Sequence, residues 1–242
     1  MELAGTTALV TGAGQRIGAA CAEALALAGA QVAIHTHRSH TMAGECCATI
    51  RRQGGRAEIF AADLSDGQQA VQLMEQVTAR LGRVDILVNN AAVFQPGHLR
   101  DTPLTAWQAV MAINLTAPFL LMQAFARGLA PSGAGVIINL IDQRVARPRP
   151  GHLAYTVAKE ALWTLTRITA VELAPTIRVN AIAPGPILPA AGMAGEAFQR
   201  VAAATPLGRA GSPQDIVDTL LFLVRHPFIT GEMIFVDGGE HL

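Results

Sequence analysis

The segment Thr11-Gly12-Ala13-Gly14-Gln15-Arg16-Ile17-Gly18 decides the fold of this chain. It follows a short β-rich run (residues 6–10) and opens a helical pattern (residues 17–28). Glycines at such a turn allow a tight bend and a close approach of the backbone to a diphosphate, while the helix N-terminus adds free N–H groups. In this strand–turn–helix setting, the pattern favours dinucleotide binding over a plain glycine turn.

Beyond this turn, apolar strands alternate with helices of about 12–20 residues, which is typical of a parallel sheet covered on both faces. Further strands are predicted at 31–35, 57–61, 85–89, 135–140, 177–183 and 233–236, and further helices at 42–53, 68–81, 104–130, 153–173 and 213–224. We therefore predict one doubly wound, Rossmann-type α/β domain over residues 1–242, with about seven strands. Such sheets bind ligands at the carboxyl ends of their strands.

The composition excludes several partners. Of 242 residues, 51% are hydrophobic, and 18 Lys and Arg balance 18 Asp and Glu. A neutral chain without a basic block has no electrostatic reason to bind nucleic acid or an acidic membrane surface. No uninterrupted apolar run reaches the ~20 residues of a membrane span. Three cysteines, two of them adjacent, suit a reducing compartment, so we predict a cytoplasmic protein. Because nucleic acid and membrane are excluded, we predict a small-molecule substrate.

The residues after the second predicted strand select the cofactor. That turn has no carboxylate to accept hydrogen bonds from a ribose diol and carries His37, Arg38 and Ser39 instead. Arg38 can form a bidentate pair with a phosphate, and its neighbours can donate further hydrogen bonds. We therefore predict NADP(H), although a solvated basic turn has the same composition. Asp63 suits either an adenine contact or a helix N-cap.

Tyr155 is the single tyrosine of the chain, and Lys159 is its single lysine. A spacing of four residues puts both side chains on one helix face. A nearby ammonium favours phenolate and draws the pKa of the tyrosine toward the working pH, a role that a guanidinium cannot take over. The alternative is a buried tyrosine beside a structural lysine.

With Thr11-Gly-x-x-x-Arg-x-Gly18, Asn89-Asn90-Ala91, Asn114, Tyr155-x-x-x-Lys159 and Pro184-Gly185 in this order, the chain resembles the classical short-chain dehydrogenases/reductases over essentially its whole length. The resemblance implies that Tyr155 is the general acid, that Lys159 lowers its pKa and holds the nicotinamide ribose, and that Asn114 supports a water-mediated proton relay. It also implies a homotetramer. The implied cofactor contacts are Gly12, Gln15, Arg16, Ile17, Gly18, His37, Arg38, Ser39, Asp63, Leu64, Asn90, Ala91, Tyr155, Lys159, Pro184, Gly185 and Ile187.

Two departures from the usual family pattern resemble the pteridine and dihydromonapterin reductases. Asp142 stands thirteen residues before Tyr155, where the family usually has a catalytic serine, and Arg16 precedes Ile17 in the first turn. Phe94 corresponds to the phenylalanine that stacks on the pterin. The implied substrate contacts are Arg16, Phe94, Asp142 and Tyr155. Ala92 departs from this subgroup, which usually has a serine there.

Asp142 can also be interpreted without the family. An ionised carboxylate repels a developing alkoxide, so it is a poor replacement for serine in carbonyl reduction. Reduction of a C=N bond instead requires a proton at nitrogen, which a carboxyl beside Tyr155 can relay or stabilise. An aspartate that only caps its loop is the alternative, and Phe94 can be a core aromatic instead of a stacking platform.

We therefore predict an NADPH-dependent reductase of a pterin-like heterocycle, in the class of oxidoreductases that act on C–N bonds. The alternatives are a reductase of ketones or 3-oxoacyl thioesters and a catalytically silent NADP-binding sensor. No histidine spacing indicates a metal site. Arg144, Arg147 and Arg149 lie in a predicted rim loop (143–152), where they could meet an anionic substrate tail or only water. Residues 186–200 are either a mobile lid or a surface insertion.

Overall fold

The structure, a computed structural model, describes residues 1–129, 133–190 and 192–242. Within these ranges seven strands form one parallel sheet in the order β3-β2-β1-β4-β5-β6-β7. The strands are β1 (Thr7–Val10), β2 (Gln31–Thr36), β3 (Arg56–Ala61), β4 (Ile86–Asn89), β5 (Gly135–Leu140), β6 (Ile177–Pro184) and β7 (Met233–Val236). The strand order reverses between β1 and β4, and ligands bind at such a switch point in doubly wound folds.

Helices cover both faces of this sheet. They are α1 (Arg16–Leu27), α2 (His40–Arg52), α3 (Gly67–Leu81), α4 (Leu104–Met111), α5 (Ala117–Gly128), α6 (Leu153–Glu172), α7 (Gly195–Ala203) and α8 (Pro213–Arg225). One core joins the sheet to α1, α2 and α8, and a second core joins the opposite face to α3 and α5. The predicted doubly wound α/β domain is therefore confirmed.

Three local features differ from the sequence-based expectations. The helix predicted at 104–130 is α4 and α5 joined by a π turn (Ala112–Thr116), and its predicted last residue lies outside the described residues. Asp142 is followed by a short 3₁₀ turn (Gln143–Val145). The segment 186–200, for which the sequence allows a mobile lid or a surface insertion, contains the start of α7. Its alanine-rich sequence carried no cap signal.

The continuous helical stretch Leu104–Gly128 is long and apolar enough to cross a membrane by length and composition. Core helices of globular domains pass the same test. Here Leu121, Met122 and Phe125 are buried in the core between this stretch and the sheet. The stretch therefore acts as a layer of the α/β sandwich.

A buried polar chain connects the three elements that carry the site. Asn89 in β4 donates from Nδ2 to Oδ1 of Asn139 in β5 at 2.8 Å. Asn139 in turn donates from Nδ2 to Oγ1 of Thr166 in α6 at 2.9 Å. All three side chains are buried. Because Asn90 follows β4 and Tyr155 lies on α6, these bonds fix the relative positions of the elements that carry these two predicted site residues.

We expect Asn139→Leu to lower the free energy of unfolding by about 1–3 kcal/mol, because it leaves the buried Asn89 amide without its acceptor. Urea unfolding followed by circular dichroism measures the change. The double variant Asn89→Leu/Asn139→Leu is the control, since removing both partners restores part of the loss. A single variant as stable as the native protein would contradict this role.

Candidate active site

The glycine turn between β1 and α1 is shaped for a close backbone approach. Gly12 has a φ of +62°, in the region that favours glycine. A Cβ on Gly18 would overlap the carbonyl oxygen of Gly12 and the side-chain amide of Asn90. That amide donates from Nδ2 to the carbonyl oxygens of Thr11 and Gly12 at 2.8 and 3.1 Å. The turn is thus an open cradle at a helix N-terminus, which fits a diphosphate.

The side chain of His35 holds this turn by a hydrogen bond to its backbone, although it was not predicted as a site residue. The backbone N–H of Gly12 donates to Nδ1 of His35 at 3.1 Å. Since Nδ1 accepts, Nε2 carries the proton and donates to the carbonyl oxygen of Ala62 at 3.1 Å. Burial lowers the pKa of His35, which keeps the ring neutral. A polar residue at the buried end of β2 was the only sequence signal for this role.

The predicted cofactor residues converge on one cleft of about 360 Å³ at the carboxyl ends of the strands. Ten of them line it: Gly12, Gln15, Arg16, Ile17, Gly18, His37, Asp63, Leu64, Asn90 and Ala91. His35, Ala92, Val93 and Ile113 line it as well, and sequence reasoning missed these as cofactor contacts. The cleft joins the diphosphate cradle to the turn after β2.

The turn after β2 supplies positive charge at the far end of the cleft. Arg38 is exposed and makes no side-chain hydrogen bond or ion pair within the described part of the chain. Nε2 of His37 lies 3.6 Å from Oδ2 of Asp63, and Ser39 directly precedes α2. An exposed guanidinium without a carboxylate on its own turn fits a ribose 2′-phosphate.

Asp63 is not a helix N-cap. Its Oδ1 accepts from the backbone N–H and the hydroxyl of Ser65 at 2.9 and 2.7 Å, and these bonds lower its pKa. The residue that caps α3 is Asp66, which accepts from the backbone N–H of Gln68. Asp63 therefore shapes the loop that lines the adenosine end of the cleft.

Seven predicted cofactor residues do not line this cleft: Arg38 and Ser39 follow β2, Tyr155 and Lys159 lie on α6, and Pro184, Gly185 and Ile187 lie at the end of β6 and after it. Pro184 ends β6, Gly185 packs tightly against Asp237, and Ile187 lines a second cavity near the C-terminus. Arg16 connects the two regions, because its guanidinium donates to the carbonyl oxygen of Pro189 at 2.7 Å. Its φ of +58° is unusual for a residue other than glycine.

Tyr155 and Asp142 form a direct hydrogen bond. The Tyr155 hydroxyl donates to Oδ2 of Asp142 at 2.9 Å, while Oδ1 accepts from the backbone N–H of Arg144 at 2.8 Å. Asp142 thus caps its loop and also contacts the predicted general acid, so the two interpretations of this residue are compatible.

The electrostatics keep the Tyr155 phenol protonated. Burial, followed by the charge of Asp142, raises the pKa of Tyr155 well above its usual value. Burial also raises the pKa of Asp142 and lowers the pKa of Lys159 to about 8. This differs from the expected lowering of the tyrosine pKa by Lys159. The Lys159 ammonium donates to the carbonyl oxygen of Leu140 at 2.6 Å and lies 5.7 Å from the centre of the Tyr155 ring.

Asn114 lies in the π turn, fully buried. Its Nδ2 donates to the carbonyl oxygens of Val93 and Val110 at 3.0 and 2.9 Å, and its Oδ1 accepts from the backbone N–H of Val93 at 3.2 Å. These bonds use both amide protons. The side chain therefore holds the segment after β4, and a proton relay at this position would have to use the backbone. Single π turns inside helices occur frequently at functional sites.

Phe94 lies at the rim of the site and not in a core. Its ring is 40% exposed, meets the Tyr155 ring edge-on at 4.8 Å between centroids, and stacks on His152 at 3.8 Å. The guanidinium of Arg144 lies 5.4 Å from the Phe94 centroid. The structure thus brings Asp142, Lys159 and Phe94 to Tyr155, whereas the Asn114 side chain contacts Val93 and Val110, and Arg16 lines the cleft of the predicted cofactor residues.

Comparisons with known proteins agree with this geometry. Residues 12–241 match the family described as enoyl-(acyl carrier protein) reductase. The chain is 35% identical to the 3-oxoacyl-[acyl-carrier-protein] reductase of Synechocystis sp., over 98% of this chain and 97% of that protein. The structure of FolM alternative dihydrofolate reductase 1 from Brucella canis, complexed with NADP, is similar with a TM-score of 0.95 and 38% identity, covering 99% of this chain and 95% of that one. The angucycline C-6 ketoreductase LanV with bound NADP is similar with a TM-score of 0.91 and 32% identity, covering 98% and 96%. The predicted cofactor, NADP(H), is confirmed by these neighbours.

We expect Arg38→Asp to remove or reverse a preference for NADPH over NADH. A charge-assisted hydrogen bond contributes about 1.5–3 kcal/mol, which corresponds to about tenfold or more in affinity. Fluorescence titration with each dinucleotide measures both dissociation constants. Arg52→Asp, at the other end of α2, is the control for a general charge effect. Equal affinity of the native protein for both dinucleotides would contradict the role of Arg38.

Proposed function

We propose that this chain, which belongs to the classical short-chain dehydrogenase/reductase family, uses NADPH to reduce the C=N bond of a pterin-like heterocycle. The single observation that carries the proposal is the hydrogen bond from the Tyr155 hydroxyl to Asp142. It places a carboxyl, and not a hydroxyl, beside the general acid.

A carboxyl at this position favours the reduction of a C=N bond over the reduction of a carbonyl group. A carbonyl substrate develops negative charge on oxygen, and a buried carboxylate a few ångströms away would oppose that charge. A C=N substrate instead gains a proton at nitrogen, and the N–H groups of a pterin can donate to a carboxylate. The similarity to FolM alternative dihydrofolate reductase 1 supports the same substrate class.

One group of residues would bind the cofactor, and a second group would transfer the proton. The glycine cradle and the turn with Arg38 would hold the dinucleotide, which supplies a hydride when bound. Tyr155 would donate the hydroxyl proton to the substrate nitrogen as the hydride reaches the carbon. Asp142, whose pKa is raised by burial, would then take up a proton from water and pass it to the Tyr155 oxygen. Phe94 would contact the flat ring of the substrate.

A second candidate is the reduction of a ketone or a 3-oxoacyl thioester. It is supported by the similarity to the Synechocystis reductase and to the angucycline ketoreductase, and by Ala92, which lacks the hydroxyl usual in pteridine reductases. The silent-sensor alternative leaves the Tyr155–Asp142 pair and the buried Lys159 without a use.

We also propose the predicted homotetramer and the cytoplasmic location. Apolar side chains on α5 and α6, among them Phe119, Ile168 and the 82% exposed Val171, support contacts with further subunits. Burying such a surface between copies would remove it from water.

We expect Tyr155→Phe to lower kcat on the order of 10²–10⁴-fold, because no other phenol exists to protonate the product. NADPH binding should persist, since the glycine cradle is intact. The measurements are NADPH oxidation and a fluorescence titration of the cofactor. Lys159→Arg should also impair turnover, because a rigid guanidinium does not reproduce a buried ammonium. Near-native turnover of Tyr155→Phe would show that the catalytic assignment is wrong.

We expect Asp142→Ser to lower kcat/KM for a dihydropterin and to spare or raise it for an activated ketone. A serine restores a donor for an oxyanion, and one such donor contributes about 3–4 kcal/mol in the transition state. Asp142→Asn is the matched control, because it removes the charge and keeps the shape. A native enzyme that prefers the ketone, with a preference unchanged in Asp142→Ser, would exclude the pterin proposal.

A further inference from the structure

We infer that Arg144 forms an anion subsite at the rim of the active site and binds a negatively charged tail of the substrate. This inference rests on the proposed function, because it narrows the substrate from any pterin-like heterocycle to one that carries an acidic substituent. In the proposed function Phe94 would contact the flat ring, and neither Tyr155 nor Asp142 supplies a positive charge for an acidic tail.

The structure distinguishes the three arginines of the rim loop. Arg149 forms an ion pair with Glu240 at 2.9 Å and is therefore used to hold the C-terminal turn. Arg147 is exposed and makes no hydrogen bond, ion pair or cation–π contact within the described residues. Arg144 is half-buried, and its guanidinium makes no hydrogen bond or ion pair in the ranges that the structure describes. One of the three thus faces the site with its donors available.

The position of Arg144 is set by the same short turn that presents the catalytic carboxyl. Its backbone N–H donates to Oδ1 of Asp142, so the two side chains leave one 3₁₀ turn. Its guanidinium lies over the ring of Phe94, which itself meets the ring of Tyr155. A heterocycle bound beside Phe94 and Tyr155 would therefore lie within reach of Arg144.

The charge of Arg144 acts on the site groups around it. It lowers the pKa of Asp142 and Tyr155 against a larger effect of burial, and it lowers the pKa of His152 in the same direction as burial does. A guanidinium held over an aromatic ring is partly desolvated, and its planar donors match a carboxylate in a bidentate pair. Phe94 does not require Arg144 for its own position, because it already stacks on His152.

The test compares two dihydropterins that differ in the charge of the tail. Dihydrofolate carries carboxylates, and dihydrobiopterin has a neutral hydroxylated tail. We expect Arg144→Gln to lower the ratio of kcat/KM for dihydrofolate to that for dihydrobiopterin about tenfold or more, mainly through KM. The same ratio in the native enzyme should fall with added salt, because partly exposed ion pairs are screened.

Arg147→Gln is the matched control, since it removes the same charge from an exposed position of the same loop, whereas only Arg144 of the two lies over the Phe94 ring in the described part of the chain. Arg144→Lys keeps the charge and should retain part of the preference, which guards against a folding defect of Arg144→Gln. An unchanged ratio in Arg144→Gln, or an equal change in Arg147→Gln, overturns the inference.

Failure of the proposed function has a different signature. If the native enzyme reduces neither dihydropterin, the pterin proposal is wrong, and the same variants are measured on a 3-oxoacid and its neutral ester. A loss confined to the oxoacid in Arg144→Gln supports the anion subsite on its own. An equal loss for both substrates means that Arg144 acts on Asp142 and Tyr155, and this outcome overturns the subsite.

Discussion

The hydrogen bond between Tyr155 and Asp142 connects the chemistry of this protein to its fold. It joins α6 to the turn after β5, and it lies where burial alone would penalise both groups. Burial raises the pKa of both groups, and the hydrogen bond between them adds to this rise for Tyr155 and opposes it for Asp142. The tyrosine therefore stays protonated. A proton can therefore be held at this point at neutral pH, which is what a reductase requires beside its substrate.

The cofactor side depends on backbone geometry more than on charge. Gly12 and Gly18 leave space where a Cβ would meet neighbouring atoms, and the neutral ring of His35 fixes the N–H of Gly12. The turn after β2 adds a positive charge through the exposed Arg38. This division is physically reasonable, because a diphosphate is satisfied by N–H groups at a helix N-terminus, whereas a 2′-phosphate needs a separate cation.

Buried amide side chains fix the relative positions of the elements that carry the site. The bonds among Asn89, Asn139 and Thr166 join β4, β5 and α6, and Asn114 holds the segment after β4 against the π turn. An unsatisfied buried amide is costly, so each of these groups favours one arrangement of the elements around it. The active site is thus positioned by polar contacts inside an otherwise apolar sandwich.

The sequence by itself determined the alternation of strands and helices, the dinucleotide turn, the basic turn after β2 and the Tyr155–Lys159 pair, because each is a local pattern with a local cause. Only the tertiary structure decided contacts between distant segments. Among them are the hydrogen bonds between Tyr155 and Asp142, between Gly12 and His35, and between Arg16 and Pro189. The ion pair of Arg149 with Glu240 is another, and it distinguishes Arg149 from Arg144. The sequence predicts that Lys159 lowers the pKa of Tyr155, but burial and the neighbouring carboxyl raise it. The Lys159 ammonium donates instead to the carbonyl oxygen of Leu140. Spacing along the chain specifies which face a side chain occupies, but burial and partners across the fold determine its charge.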